Sequence, residues 1–143
     1  MAEKKIELIL HRTFYPLSET RDFIARVCGQ MDFESKEIYF IKTALDEACT
    51  NIVRHAFRKK AGSIKIRVLD DGEKVTLSVI DDGEPFPYHN APRRTPGELV
   101  AQAAEGGLGL SLIERLMDDV RYIRRRHGNE LRMVKYHERN GRT

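Results

Sequence analysis

Two runs of strict alternation constrain this chain more than any other feature. Ile64, Ile66 and Val68 alternate with Lys65 and Arg67, and Val75, Leu77 and Val79 alternate with Lys74, Thr76 and Ser78. Between them lies Asp70-Asp71-Gly72-Glu73, and Asp-Gly is a strong signal for a tight turn between antiparallel strands. Alternation with period two puts each apolar set on one face. The chain is therefore predicted to hold an antiparallel sheet with one oily face, which needs a layer of helices to cover it.

The rest of the chain supplies that layer. Ile6, Leu8 and Leu10 alternate around Glu7 in a strand over residues 6–14, which Pro16 breaks. Phe23, Ile24, Val27 and Met31 recur at helical spacing from Leu17 to Met31. A longer helix is predicted from Glu34 to Phe57, with a core stripe of Ile38, Ile41, Leu45, Ala48, Ile52 and Ala56. A third opens at Gly106-Gly107-Leu108-Gly109 and runs to Met117. Two strands follow, Val120–Arg126 and Glu130–Tyr136, with a turn at His127-Gly128-Asn129. The order β-α-α-β-β-loop-α-β-β predicts an α+β two-layer sandwich, a mixed, largely antiparallel five-stranded sheet with three main helices on one face. At 143 residues it makes a single domain, 1–143.

Residues 84–105 fit neither period and hold four of the five prolines, Pro85, Pro87, Pro92 and Pro96. In a compact domain a loop longer than roughly 12–15 residues is functional or disordered. A short helix at 98–104 is predicted to interrupt it.

Several functional classes fall away. No apolar run approaches the ~18 residues of a membrane span, and Met1-Ala2-Glu3-Lys4-Lys5 lacks the apolar core of a secretion signal. Cys28 and Cys49 have no metal-ligand spacing, which argues against a zinc site and a disulfide framework. The expectation is a cytoplasmic protein with reduced thiols and no membrane partner. Lys+Arg 25 against Asp+Glu 22 gives a net charge of +3, too mild to argue nucleic-acid binding. From residue 119 onward there are eight Lys/Arg against three Asp/Glu, including Arg124-Arg125-Arg126. No aromatic stacking platform accompanies them, so direct nucleic-acid binding is not expected.

Three constellations carry chemistry. Glu47, Asn51 and His55 are spaced i, i+4, i+8 and share one helical face. Asn can give Mg²⁺ an oxygen ligand and Glu can accept a proton; an ordinary solvated face would use the same residues. Asp81-Asp82-Gly83 ends a strand and opens the proline-rich segment, where a carboxylate can accept from an exocyclic amine such as that of adenine. Gly83 would let a ring approach the backbone, although a plain strand-ending turn has the same composition. Glycines at the start of the third helix leave N–H groups aimed along the positive end of its dipole, a geometry that binds phosphate. Neither the Lys-Ser/Thr pair of a P-loop nor a surrounding βαβ unit is present, and a hinge would look alike.

The order of these parts resembles the ATPase domain shared by histidine kinases, gyrase-type proteins and the Hsp90 group, the Bergerat fold. Glu47-Ala48, Asn51, His55-Ala56, Asp81-Asp82-Gly83, Pro85-Phe86 and Gly107-Leu108-Gly109-Leu110, followed by Leu116-Met117-Asp118, look most like the small anti-sigma factor serine kinases. The resemblance covers most of the chain. It implies ATP and Mg²⁺ as cofactors, with Asn51 holding the metal and Glu47 as general base toward a serine hydroxyl. By the same resemblance Asp81 would read the adenine amine, Gly83 would leave room for the ring, and His55 would lie near the phosphates. Gly106, Gly107, Leu108, Gly109 and Leu110 would cradle the phosphates, under a lid at 87–105. The implied partners are an anti-anti-sigma protein carrying the acceptor serine, a sigma factor, and a second copy of the chain in a homodimer.

The chain departs from the histidine-kinase pattern at Glu105, where that pattern places another glycine. Two other readings stand beside the kinase. One is a non-catalytic switch in which ATP orders the lid and gates a partner. The other is a detached catalytic domain of a histidine kinase.

Overall fold

The computed structural model describes residues 4–12, 17–29, 35–52, 62–85 and 109–137. The elements are β1 (Lys4–Arg12), α1 (Leu17–Gly29), α2 (Ser35–Asn51), β2 (Gly62–Asp70), β3 (Lys74–Asp81), α3 (Gly109–Leu116), β4 (Asp119–Arg125) and β5 (Gly128–Tyr136). They form an α+β fold whose sheet has the strand order β1-β2-β3-β5-β4. All four pairings are antiparallel, so the expectation of a mixed sheet is corrected. The connection through α3 carries β4 past β5 to the edge, which removes any parallel neighbour from β3.

The register makes the alternation physical. One row runs Leu8, Ile66, Val79, Leu131, Tyr122 across the sheet, and the next runs Ile6, Val68, Leu77, Met133, Val120. Ile66, Val68, Leu77, Val79, Leu131 and Met133 are all buried in one cluster with the helices. Truncating a fully buried member such as Ile66 to Ala is worth about 2–5 kcal/mol.

The helices give that face a second layer. Ile24 and Cys28 of α1, Ile41, Ala44, Leu45, Ala48 and Cys49 of α2, and Leu110 and Ile113 of α3 join the same cluster. Ile38 only packs against it from a half-buried position. Cys28 and Cys49 are buried in this core outside any disulfide, and desolvation pushes Cys28 up to about 11, so it sits there as a small apolar residue. No helix among the described residues is long and apolar enough to cross a membrane.

Helix α2 touches both other helices. Lys135 of β5 fixes how α3 lies along it. Its Nζ donates to Leu116 O at 2.9 Å, at the C-terminus of α3, and lies 5.2 Å from the Phe40 ring centroid near the start of α2. The C-terminal end of α3 thus lies near the start of α2.

Candidate active site

The third row of the sheet is where the core stops being apolar. It runs Leu10, Ile64, Asp81, Asn129, Arg124. Asp81, the last residue of β3, is 6% exposed and Asn129 is 1% exposed. A carboxylate and an amide thus occupy positions that the alternation assigns to the oily face.

Asn129 organises what surrounds Asp81. Its Nδ2 donates to Asp81 Oδ1 at 3.1 Å, to Gly83 O at 3.2 Å and to Glu84 O at 3.2 Å. The two amide hydrogens are shared among three acceptors, which folds the segment after β3 back over the strand end. Gly83 N donates to the same Asp81 Oδ1 at 2.8 Å, and Ser63 N donates to Asp82 Oδ1 at 2.8 Å, tying the next residue to β2. Among the described residues both bonds to Asp81 converge on Oδ1, which leaves Oδ2 able to accept from a further donor. Burial raises the Asp81 pKa, the bonds from Asn129 and Gly83 oppose that rise, and the Asp82 charge adds to it. A desolvated carboxylate with an idle oxygen gains most from a new N–H donor.

Gly128 allows the close approach. Its φ is 150°, and a Cβ there would lie 1.9 Å from the Asp81 carbonyl oxygen. Because Gly128 pairs with Arg125, β5 begins at the glycine, and the connection is Arg126-His127. The expected turn at His127-Gly128-Asn129 is corrected accordingly. Asn129 is the candidate site residue that periodicity missed. Its signal was the Gly-Asn pair that follows Arg124-Arg125-Arg126 after His127.

On α2, Glu47 and Asn51 are half-exposed among buried neighbours Ala44, Leu45, Ala48, Cys49 and Ile52. The expected polar face is therefore there, one turn from the core stripe. Beside Glu47, Asp46 receives a two-point ion pair from Arg21 of α1, Nε to Oδ1 and Nη2 to Oδ2, each 3.1 Å. His55 lies outside the described residues, as do Gly106, Gly107 and Leu108 and the whole span 87–105 expected to be a lid. Gly109 is the first residue of α3, and Leu110 is buried at 7% exposure. Helix α2, which carries Glu47 and Asn51, contacts both β3, which ends in Asp81, and α3, which begins at Gly109.

Residues 15–135 match the family described as histidine kinase-like ATPase domain, and the chain belongs to that family. Within it the chain sits beside proteins named Serine-protein kinase RsbW. It is 36% identical to the one from Bacillus subtilis (strain 168) over 118 residues, 79% of this chain and 73% of that protein. It is 34% identical to one from Bacillus cereus over 140 residues, 95% of this chain and 87% of that protein. A crystal structure of the RsbU and RsbW domains of Rv1364c from Mycobacterium tuberculosis shares the fold, with TM-score 0.64 and 18% identity over 93% of this chain and 32% of that one. The expectation of an ATP-using protein kinase agrees with the family and with these relatives' names.

Proposed function

We propose that this chain transfers the γ-phosphoryl group of ATP to a serine of an anti-anti-sigma protein and sequesters a sigma factor. The observation that supports the nucleotide reading is Asp81, a buried carboxylate at the end of β3 that Asn129 holds through Oδ1, with no described partner on Oδ2. The relatives' names carry the kinase reading. The two regulatory partners rest on the resemblance in sequence motifs.

The residues fit the group they would bind. Asp81 Oδ2 accepts from the adenine amine, which guanine lacks at that position, and Gly83 leaves the ring room. The start of α3 at Gly109, with Gly106, Gly107, Leu108 and Leu110, offers N–H groups and the positive dipole end to phosphate. Asn51 contributes one oxygen to Mg²⁺, a cation that takes most of its ligands from phosphate and water. Bound Mg²⁺-ATP supplies the phosphoryl group and neutralises part of its charge. Glu47 orients the serine hydroxyl and accepts its proton. His55 lies near the phosphates and 87–105 closes over them. The active unit is a homodimer in the cytoplasm.

The test pairs two variants. Asn51→Ala should lose the strengthening of ATP binding by Mg²⁺ in calorimetric titration. Glu47→Gln should keep ATP binding within a factor of about two and slow phosphoryl transfer by about 10²–10⁴-fold, read with radiolabelled ATP and co-purifying proteins. Equal loss of nucleotide binding in both variants would defeat this division of roles. ATP binding without transfer in the wild type would leave a nucleotide-gated switch instead.

A further inference from the structure

We propose that the β4–β5 hairpin is a docking surface for an acidic protein segment, which adds as a strand to the outer edge of β4. Among the described residues β4 pairs with β5 alone, and no described strand pairs with its other edge. Arginines crowd the hairpin beside that edge. Arg121 lies directly opposite Arg132 in the register, and like charges so placed destabilise a sheet. Arg121 is 71% exposed, Arg125 45% and Arg132 42%.

The nearby carboxylates hold these groups in place without cancelling them. Asp119 Oδ2 accepts from Arg121 Nε at 3.1 Å. Glu130, 1% exposed, is shared: Oε1 accepts from Arg125 and Oε2 from Arg132 Nε at 2.9 Å. Arg124 and Arg126 are exposed and make no ion pair among the described residues. Five arginines thus meet two carboxylates, one of which is buried.

The placement selects the occupant. Strand alternation puts Arg121 and Arg125 on the sheet face away from the helices and Arg124 on the other. A strand laid along β4 carries side chains to both faces, so carboxylates at successive positions meet arginines on either side. The backbone groups of an open edge match another peptide backbone, which favours protein over nucleic acid. The one exposed large hydrophobic residue among the described residues is Tyr39, on α2, so no stacking platform accompanies the arginines. Like charge also discourages two copies from pairing through β4.

The test uses the full 143-residue chain and a labelled 12-residue peptide alternating Glu with Val or Thr. A Lys-for-Glu peptide and a single-stranded oligonucleotide serve as comparison probes. Saturable binding of the Glu peptide should weaken at least about fivefold from 50 to 200 mM salt. It should weaken by about tenfold in Arg121→Glu/Arg124→Glu, and it should slow amide exchange along β4. Arg126→Glu, in the connection, should weaken it as well and guards against a fold defect in the double variant. No binding at millimolar peptide, equal binding by the variants, unchanged β4 exchange, or tighter binding of the oligonucleotide would each overturn the proposal.

Discussion

Asp-Asp-Gly occurs twice in this chain, at 70–72 and at 81–83, and both copies make the same first contact. Asp70 Oδ1 accepts from Gly72 N at 2.9 Å, and Asp81 Oδ1 accepts from Gly83 N at 2.8 Å. The surroundings then diverge. In the first copy Asp70 Oδ1 also meets His137 Nε2 at 2.9 Å. Asp71 accepts from Glu73 N and Lys74 N on Oδ1 and from Lys74 Nζ on Oδ2. In the second copy the leading carboxylate is buried, its second bond comes from an amide rather than an imidazole, and Asn129 also holds the following carbonyls. The same tripeptide closes a hairpin at one end of β3 and, in the function proposed, builds a recognition group at the other. Register decides which, by setting Asn129 opposite Asp81. Asp71 has both oxygens engaged within the turn and is structural. Asp70 and Asp81 each take two bonds on one oxygen, and they differ in burial and in the amide that Asn129 sets against Asp81.

The sharpest way to break this comparison is through the two positive-φ glycines. Gly128→Ala forces a Cβ to 1.9 Å from Asp81 O and should remove more than about 3 kcal/mol in urea denaturation. Gly72→Ala, at φ 90°, should remove about 1–2 kcal/mol. Equal effects would mean that the Gly128 approach is not what holds the two strand ends together.

Next come the aspartates themselves. Asp81→Asn should raise the Kd for ATP by about 10–100-fold, the equivalent of losing a hydrogen bond to a charged group, whereas Asp70→Asn should leave it unchanged. Asn129→Ala should raise the same Kd by about tenfold, because Asp81 and two carbonyls lose their shared donor. His137→Ala, which removes the corresponding neighbour of Asp70, should leave the Kd unchanged.

The smallest effect is electrostatic. Backbone N–H groups of Lys74 and Glu73 hold Asp71 down to about 2. Its folded value lies below its unfolded one, so its contribution to stability is present above about pH 4 and lost as the pH falls toward 2. Asp71 is 39% exposed on its side chain, so solvent screening keeps that contribution under about 1 kcal/mol. Asp71→Asn should flatten this part of the stability profile. Asp81, with its pKa raised, works in the opposite sense and should favour the fold more as the pH falls.

Much of this was legible from residues. Alternation in β2 and β3 identified the buried face, helical spacing placed Glu47 and Asn51 beside the core stripe, and the proline-rich exit marked Asp81 over Asp70. Two things were not legible, for one reason. Periodicity records which face a residue takes and says nothing about which strand lies alongside. Hence the sheet was expected to be mixed, although β3 neighbours β5 with β4 outside. Hence also Asn129 was assigned to a turn, although the positive φ of Gly128 lets β5 start early enough to set it against Asp81.

The most direct test of the account is a calorimetric titration of the wild type and Asp81→Asn with ATP and with GTP, each with Mg²⁺. The account predicts saturable ATP binding by the wild type, at least about tenfold weaker binding of GTP, and loss of most of that preference in Asp81→Asn, because one carboxylate oxygen reads the exocyclic amine. Equal affinity for the two nucleotides, or an ATP preference that survives the substitution, would contradict it.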